Sequence, residues 1–278
     1  MKKINLVLLL SVFTFAFAAA AEKEHKREIT KEFSVKASPK LQIRNKYGNI
    51  RVIEGQENKI IFKIEIIGKG KTEELAKEYA EKVTIDFAQS GNSVSAETVL
   101  KSINCNNCGR SIHYTVLAPK SAIMDLENKY GNIYLENVNT PLKVELKYGN
   151  FQANSLAETD IEIKYGKVDI ESCTELDLDS KYSGIKLGQI KTLKADSKYD
   201  KFEIGAITDL HLETAYTTVK IEKLNRRLVS EITYGTINVS NVAPDFSEIK
   251  AEAAYSTLNI GLNKSHKFKA TLYARYGN

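Results

Sequence analysis

"KYGNFQANSLAETDIEIKYGKVDIESCTELDLDSKYSG", residues 147–184, writes Lys-Tyr three times at intervals of 17 residues, at Tyr148, Tyr165 and Tyr182. Moving outward from this stretch, the same anchor recurs at Tyr199 and Tyr216, then at Tyr234, Tyr255 and Tyr276. On the other side it recurs at Tyr130 and Tyr47, and "NKYGNI" stands letter for letter at 45–50 and 128–133. The spacing is a constant 17 from Tyr148 to Tyr216, 18 just outside that range, and 21 at the end. Self-similarity at a fixed short period is the signature of a repeat architecture.

The columns around the anchor carry the physics. Six residues before the Tyr stand Leu142, Leu176, Leu193, Leu210 and Leu228, and four before stand Leu126, Val144, Ile161, Leu178 and Leu212. Three after come Ile133, Phe151, Val168, Ile185, Phe202, Val219, Ile237 and Leu258, and five after come Leu135, Ile170, Leu187, Ile204, Ile221, Val239 and Ile260. A further apolar column lies eight after the Tyr and holds Cys173 among Leu, Ile and Val. Apolar residues two apart predict strands with one buried face. The columns between are polar. Glu or Asp stands three before the Tyr from Glu127 to Glu252, and Lys stands one before it at Lys46, Lys129, Lys147, Lys164, Lys181 and Lys198.

Seventeen residues cannot bury such a face alone, so neighbouring units must stack. An alternation of period 2 excludes helical repeats. The fold class is therefore all-β, a single-stranded parallel β-helix or β-solenoid with rungs of about 17 residues lying ~4.8 Å apart. The tyrosines share the parity of the buried columns, which predicts rings turned inward and stacked near a corner. The Gly after the Tyr fits a backbone that turns sharply with positive φ.

The chain divides as follows: a signal peptide at 1–21, an N-terminal strand and first rung at 22–54, an insertion at 55–120, and solenoid repeats at 121–278. The insertion follows from the gap of some eighty residues between Tyr47 and Tyr130. "KIIFKIEII" reads as a strand, and "TEELAKEYAEKV" as the one helix, with Thr72 at its N-cap and Leu75, Ala76 and Tyr79 on one face. "VTIDFA", "SVSAETVL" and "SIHYTVLAP" read as antiparallel strands. The insertion is expected to cover the first end of the stack, where an uncapped rung would expose unpaired backbone groups. After Tyr276 the columns have no further members, so either the last strand closes the stack or the natural chain runs on.

"MKKINLVLLLSVFTFAFAAAAEKE" has two lysines, an apolar run and small residues, the layout of a secretory signal peptide cleaved after Ala18, Ala20 or Ala21. Export to the periplasm, cell surface or medium is expected, with no span of ~20 apolar residues after residue 21. The 278 residues are 42% apolar and 27% charged, as in ordinary globular proteins. Losing Lys2 and Lys3 from a net charge of +5 leaves about +3, too mild to imply a nucleic-acid partner.

"NCNNCG" at 104–109 is the most distinctive local motif. In an exported protein Cys105 and Cys108 suit a small disulfide clip at a turn. A redox centre would want a thioredoxin-like pattern, which is absent, and a zinc site would need four ligands. Cys173 reads as a buried thiol. His211 shares a polar column with Lys143, Asp160, Asp177 and Lys194 and reads as a solvated face. The acidic column has two readings: a stripe for Ca²⁺ or glycan, or a ladder neutralised by the lysines beside it. No nucleophile elbow, phosphate loop or metal-ligand set is found, so no catalytic, cofactor or metal residues are assigned.

The signal peptide, the stretch "SIHYTVLAPKSAIMDLENKYGNIYLENV" and the following "KYG", "KYS" and "AYT" rungs resemble the bacterial putative-adhesin family of exported β-solenoid proteins, a domain of unknown function. The resemblance covers most of residues 30–278 and implies a single-stranded right-handed β-helix. It carries no binding residues with it. The function expected is a non-enzymatic adhesin-like binding or cell-envelope structural module, with a cell-surface glycan or an envelope protein as partner. The alternatives are a polysaccharide-active β-helix enzyme, either lyase or hydrolase, and an envelope-stress or signalling partner.

Overall fold

The computed structural model describes residues 22–102, 105, 107–263 and 272–276. The expected signal peptide lies outside the described residues. Strands β1 (Lys23–Ser34), β2 (Lys40–Lys46), β3 (Ile50–Glu54) and β4 (Lys59–Gly70) precede helix α1 (Glu73–Glu81). Then come β5 (Val83–Ser90), β6 (Ser93–Leu100), β7 (Gly109–Ala118), β8 (Ile123–Lys129), β9 (Ile133–Tyr134), β10 (Asn137–Val138) and β11 (Leu142–Lys147). The long strands β12 (Asn150–Lys164), β13 (Lys167–Lys181), β14 (Gly184–Lys198), β15 (Lys201–Ala215) and β16 (Thr218–Thr233) follow. Last are β17 (Thr236–Val242), β18 (Glu248–Ala254), β19 (Thr257–Ile260) and β20 (Leu272–Arg275).

The 17-residue period is the stacking register. Ile161 pairs in parallel with Leu178, Leu178 with Ala195, and Ala195 with Leu212. Each long strand runs along the second face of one rung and bends into the first face of the next, so equivalent residues superpose along the axis. Where the period lengthens to 18, the extra residue sits at a corner: Ile207 pairs with Leu224, but Asp209 pairs with Arg227. The apolar columns meet inside as one continuous core from Val35 to Val242. Burying each such Ile, Leu or Phe contributes about 1.5–3 kcal/mol, which a single rung has no partner surface to collect.

Residues 55–120 do more than lie against the first end. β6 pairs in parallel with β2, and β7 with β3, so the insertion supplies its own rung beneath the first Tyr rung. That rung is in turn covered: β5 pairs antiparallel with β6, and β4 antiparallel with β7 and β1. Thr72 caps α1, accepting from the Leu75 N–H at 3.3 Å, and Ala76, Tyr79 and Ala80 are its buried residues. Asn45 ties the two rungs together. Its amide donates to the Ile112 carbonyl at 3.0 Å, and its Oδ1 accepts from Thr98, whose hydroxyl also meets the buried Tyr114 hydroxyl.

The interior is polar at one corner. Asp200 is buried and accepts from Ser180 Oγ at 2.8 Å, Ser197 Oγ at 2.7 Å and the Ser183 N–H at 2.5 Å. Burial pushes its carboxyl above the usual range, against the pull of those hydrogen bonds. Two columns explain the site. In rungs with a large apolar residue two before the Tyr, a Gly follows the Tyr, as in Leu146 with Gly149, Ile163 with Gly166 and Ile232 with Gly235. Four rungs with a small residue there place a side chain after the Tyr instead: Ser180 with Ser183, Ser197 with Asp200, Thr214 with Thr217, and Ala253 with Ser256. The substituted side chains reach back one rung to an N–H left over at the bend: Gly166 donates to Ser183 Oγ at 3.3 Å, and Asp200 to Thr217 Oγ1 at 3.2 Å.

Candidate functional site: an external tyrosine column

Every anchor tyrosine, from Tyr47 to Tyr276, has a positive φ between 51° and 63°. This overturns the expectation of inward rings. Parity arguments assume β geometry throughout, and one left-handed residue reverses the alternation, so the ring points out while both neighbouring strands keep their buried faces. From Tyr47 to Tyr255 the tyrosines are 42–50% exposed. The positive φ expected at Gly falls on Tyr instead. The Gly is needed for another reason: a Cβ on Gly131 would lie well inside contact distance of the Gly48 carbonyl oxygen, and one on Gly149 would meet that of Gly131.

The left-handed backbone costs roughly 1–2 kcal/mol per non-Gly residue. Two returns offset it. From Tyr47 to Tyr255 each Tyr N–H donates to the carbonyl of the next rung, as in Tyr148 to Lys164 and Tyr165 to Lys181, both at 3.0 Å. The rings also stack, with nine successive contacts at 4.8–5.2 Å between centroids and planes within 12° of parallel. Aromatic pairs add about 0.5–1.5 kcal/mol each beyond area burial. The result is an uninterrupted exterior stripe of phenols running along the solenoid axis.

The flanks of the stripe are regular. On one side lies the lysine column, and Lys129 Nζ sits 5.0 Å from the Tyr130 ring centroid. On the other side an asparagine ladder joins the first rungs: the Asn132 N–H donates to Asn49 Oδ1 at 3.0 Å, and Asn150 to Asn132 Oδ1 at 2.9 Å. The Asn49 N–H meets His113 Nδ1 at 3.2 Å, and burial holds that imidazole below its usual pKa.

The acidic column faces water, as its alternation predicts. Part of it pairs with lysines of its own rung, Glu162 with Lys164 at 2.6 Å and Glu145 with Lys143 at 3.0 Å. Arg44 ends the column by pairing with Glu127. Among the described residues no group of three or more His, Cys, Asp or Glu is placed to hold a metal ion. His211 is on the outer face, 3.4 Å from Glu213. Cys173 is buried; its thiol donates to the Ala157 carbonyl at 3.3 Å, and burial raises its pKa. Cys105 and Cys108 have Cα atoms 5.7 Å apart with their sulfurs joined, in the connection from β6 to β7. β6 and β7, on either side of it, pair with β2 and β3, the strands on either side of Tyr47.

No family model matches the chain, and no curated protein matches it in sequence. Solved structures do match. A putative adhesin from Parabacteroides distasonis ATCC 8503 is 11% identical with a TM-score of 0.50, over 84% of this chain and 97% of that one. A putative adhesin from Bacteroides fragilis NCTC 9343 is 14% identical with a TM-score of 0.40, again over 84% and 97%. A putative lipid binding protein from Parabacteroides distasonis ATCC 8503 is 9% identical with a TM-score of 0.35, over 89% and 96%. At such identities the likeness speaks for the fold, and the chain is a β-solenoid of the kind solved for a bacterial putative adhesin.

Proposed function

We propose that the protein is an exported, non-enzymatic binding module of the cell envelope, with the tyrosine column as its contact surface. One observation carries this reading. A soluble chain rarely keeps a contiguous row of large aromatic residues at its surface unless something meets it, and here the row persists through ten rungs despite left-handed strain at every tyrosine. Stacking alone could be achieved inside the core, where no strain would be needed. In this reading residues 55–120 seal the first end of the stack and leave the long exterior free.

The test is retention of the purified protein on isolated envelope fractions and on immobilised surface polysaccharides. Asn tolerates left-handed backbone, so Tyr148→Asn/Tyr182→Asn removes two rings without adding strain. Retention should fall at least tenfold while the fold, followed by circular dichroism, is kept. Unchanged retention would remove the column from the binding surface. Turnover of a polysaccharide, abolished by Asp179→Asn, would overturn the non-enzymatic reading altogether.

A further inference from the structure

Although the tyrosine column is uniform along the solenoid, its flank is not. From Tyr47 to Tyr199 every anchor tyrosine follows a lysine; at Tyr216, Tyr234 and Tyr255 the preceding residue is Ala215, Thr233 and Ala254, and a cation returns only at the last anchor, where Arg275 precedes Tyr276. Stacking geometry does not require this change, because the rings continue at the same spacing across it. Neutralising the acidic column does not require the lysines either. Glu213, Glu231 and Glu252 continue that column through rungs where the lysine is gone. Lys164 and Lys181 pair with Glu162 and Asp179 of their own rungs, but among the described residues no carboxylate forms an ion pair with the other four, Lys46, Lys129, Lys147 and Lys198. Lys167 adds an exposed ammonium on the opposite flank of Tyr165.

The tyrosines themselves select for charge. Each inner ring has both faces covered by its neighbours at about 5 Å. The stripe therefore offers no π-face on which a neutral sugar could lie. It offers ring edges, the positive end of the aromatic quadrupole, together with phenolic O–H donors. Ring edges, hydroxyls and ammonium groups in one row all favour an anion. The row also has a period: one lysine and one phenol per rung, and an extended β-linked glycan advances by close to one rung per sugar.

We propose that the basic half of the column, from Tyr47 to Tyr199, binds a linear acidic polysaccharide laid along the solenoid axis, its carboxylate or sulfate groups meeting the lysines and its hydroxyls the phenols. This rests on the reading that the column is the contact surface, and adds to it the charge of the ligand and the half of the column it occupies.

The test measures affinity for β-1,4-linked oligomannuronates of two to ten sugars, for chondroitin sulfate and for neutral cellohexaose. Affinity for the acidic oligomers should rise with length up to about six sugars and then level. It should fall roughly tenfold or more on raising salt from about 50 mM to about 200 mM, through screening and counterion release. Lys147→Gln/Lys198→Gln should cost roughly tenfold, about threefold per exposed charge. Lys77→Gln, an exposed charge on α1 and off the column, should leave affinity unchanged. Cellohexaose binding as tightly as the acidic oligomers, or a double lysine variant with full affinity, overturns the proposal. Double-stranded DNA binding as tightly as the acidic glycans overturns it too, in favour of indiscriminate polyanion attraction. The two readings fail separately: loss of binding in Tyr148→Asn/Tyr182→Asn with none in the lysine variant keeps the contact surface and removes the acidic ligand, whereas no loss in either removes both.

Discussion

Tyr199 and Asp200 are consecutive yet lie on opposite sides of the solenoid wall. The Tyr199 ring is outside, stacked between Tyr182 and Tyr216, while the Asp200 carboxylate is buried among Ser180, Ser183 and Ser197. The left-handed φ of 60° at Tyr199 makes this possible, so one backbone bend serves both the exterior stripe and the interior corner.

Burial of Asp200 has a pH signature. Its carboxyl pKa is raised in the folded state, chiefly by desolvation, so the native protein holds this proton more tightly than the unfolded chain does. Stability from this group therefore falls as pH rises from the ordinary carboxylate value up to the folded pKa, and the cost is fully present above it. Asp200→Asn keeps the shape and removes the charge. Denaturation followed across pH should show the variant gaining on the wild type as pH rises through that window, with the difference between them constant above it. A difference that does not vary with pH would mean that Asp200 is not the buried acid described.

The two kinds of glycine in the corner should respond oppositely to a methyl group. Gly131→Ala drives a Cβ into the Gly48 backbone, which has no flexible side chain to give way, and should cost about 3 kcal/mol or more. Gly184 has ordinary φ, and the nearest atom to an added Cβ is Lys167 Cγ at 3.8 Å. Gly184→Ala should be neutral or stabilise by about 0.4–1 kcal/mol through the unfolded chain. Urea midpoints of the two variants check both signs.

The architecture is readable in the chain because stacking maps sequence period directly onto register: the interval from Tyr148 to Tyr165 is the same shift that pairs Ile161 with Leu178. Ring direction was not readable by parity, since a residue in the left-handed region reverses the alternation and tyrosine rarely adopts it. A signal for the interior corner did exist, in the exchange of Gly166 for Ser183 and Asp200 as Ile163 gives way to Ser180 and Ser197. It needed two columns compared together. The pairing of β6 with β2 and β7 with β3 had no such signal, because residues 55–120 carry no Tyr anchor and their partners are set by long-range packing alone.

The clip between Cys105 and Cys108 closes a very short loop at the turn of the inserted rung. Alkylation under denaturing, non-reducing conditions with mass spectrometry should show one free thiol, Cys173, and two protected cysteines. Because the loop is so short, chain entropy limits its contribution to about 2 kcal/mol. Cys105→Ser/Cys108→Ser should lower stability by no more than that. Hydrogen exchange should quicken first in β6 and β7, the strands on either side, before any effect reaches β12–β16.

The exchange between the residue two before the Tyr and the residue after it makes a stricter demand, because it predicts a coupling as well as a cost. A Cβ at Gly166 would stand 3.1 Å from Ile163 Cδ1 and closer still to the Gly149 carbonyl oxygen. Gly166→Ser alone should therefore overpack the corner, and Ile163→Ser alone should leave a cavity with an unpartnered hydroxyl. Together they rebuild the arrangement of the next rung, where Ser180 and Ser183 coexist and Ser183 Oγ accepts from the Gly166 N–H. The double variant should be more stable than the sum of the single losses by roughly 1–3 kcal/mol. Additive losses would mean that the two columns vary independently and that the polar corner around Asp200 is local to its own rungs.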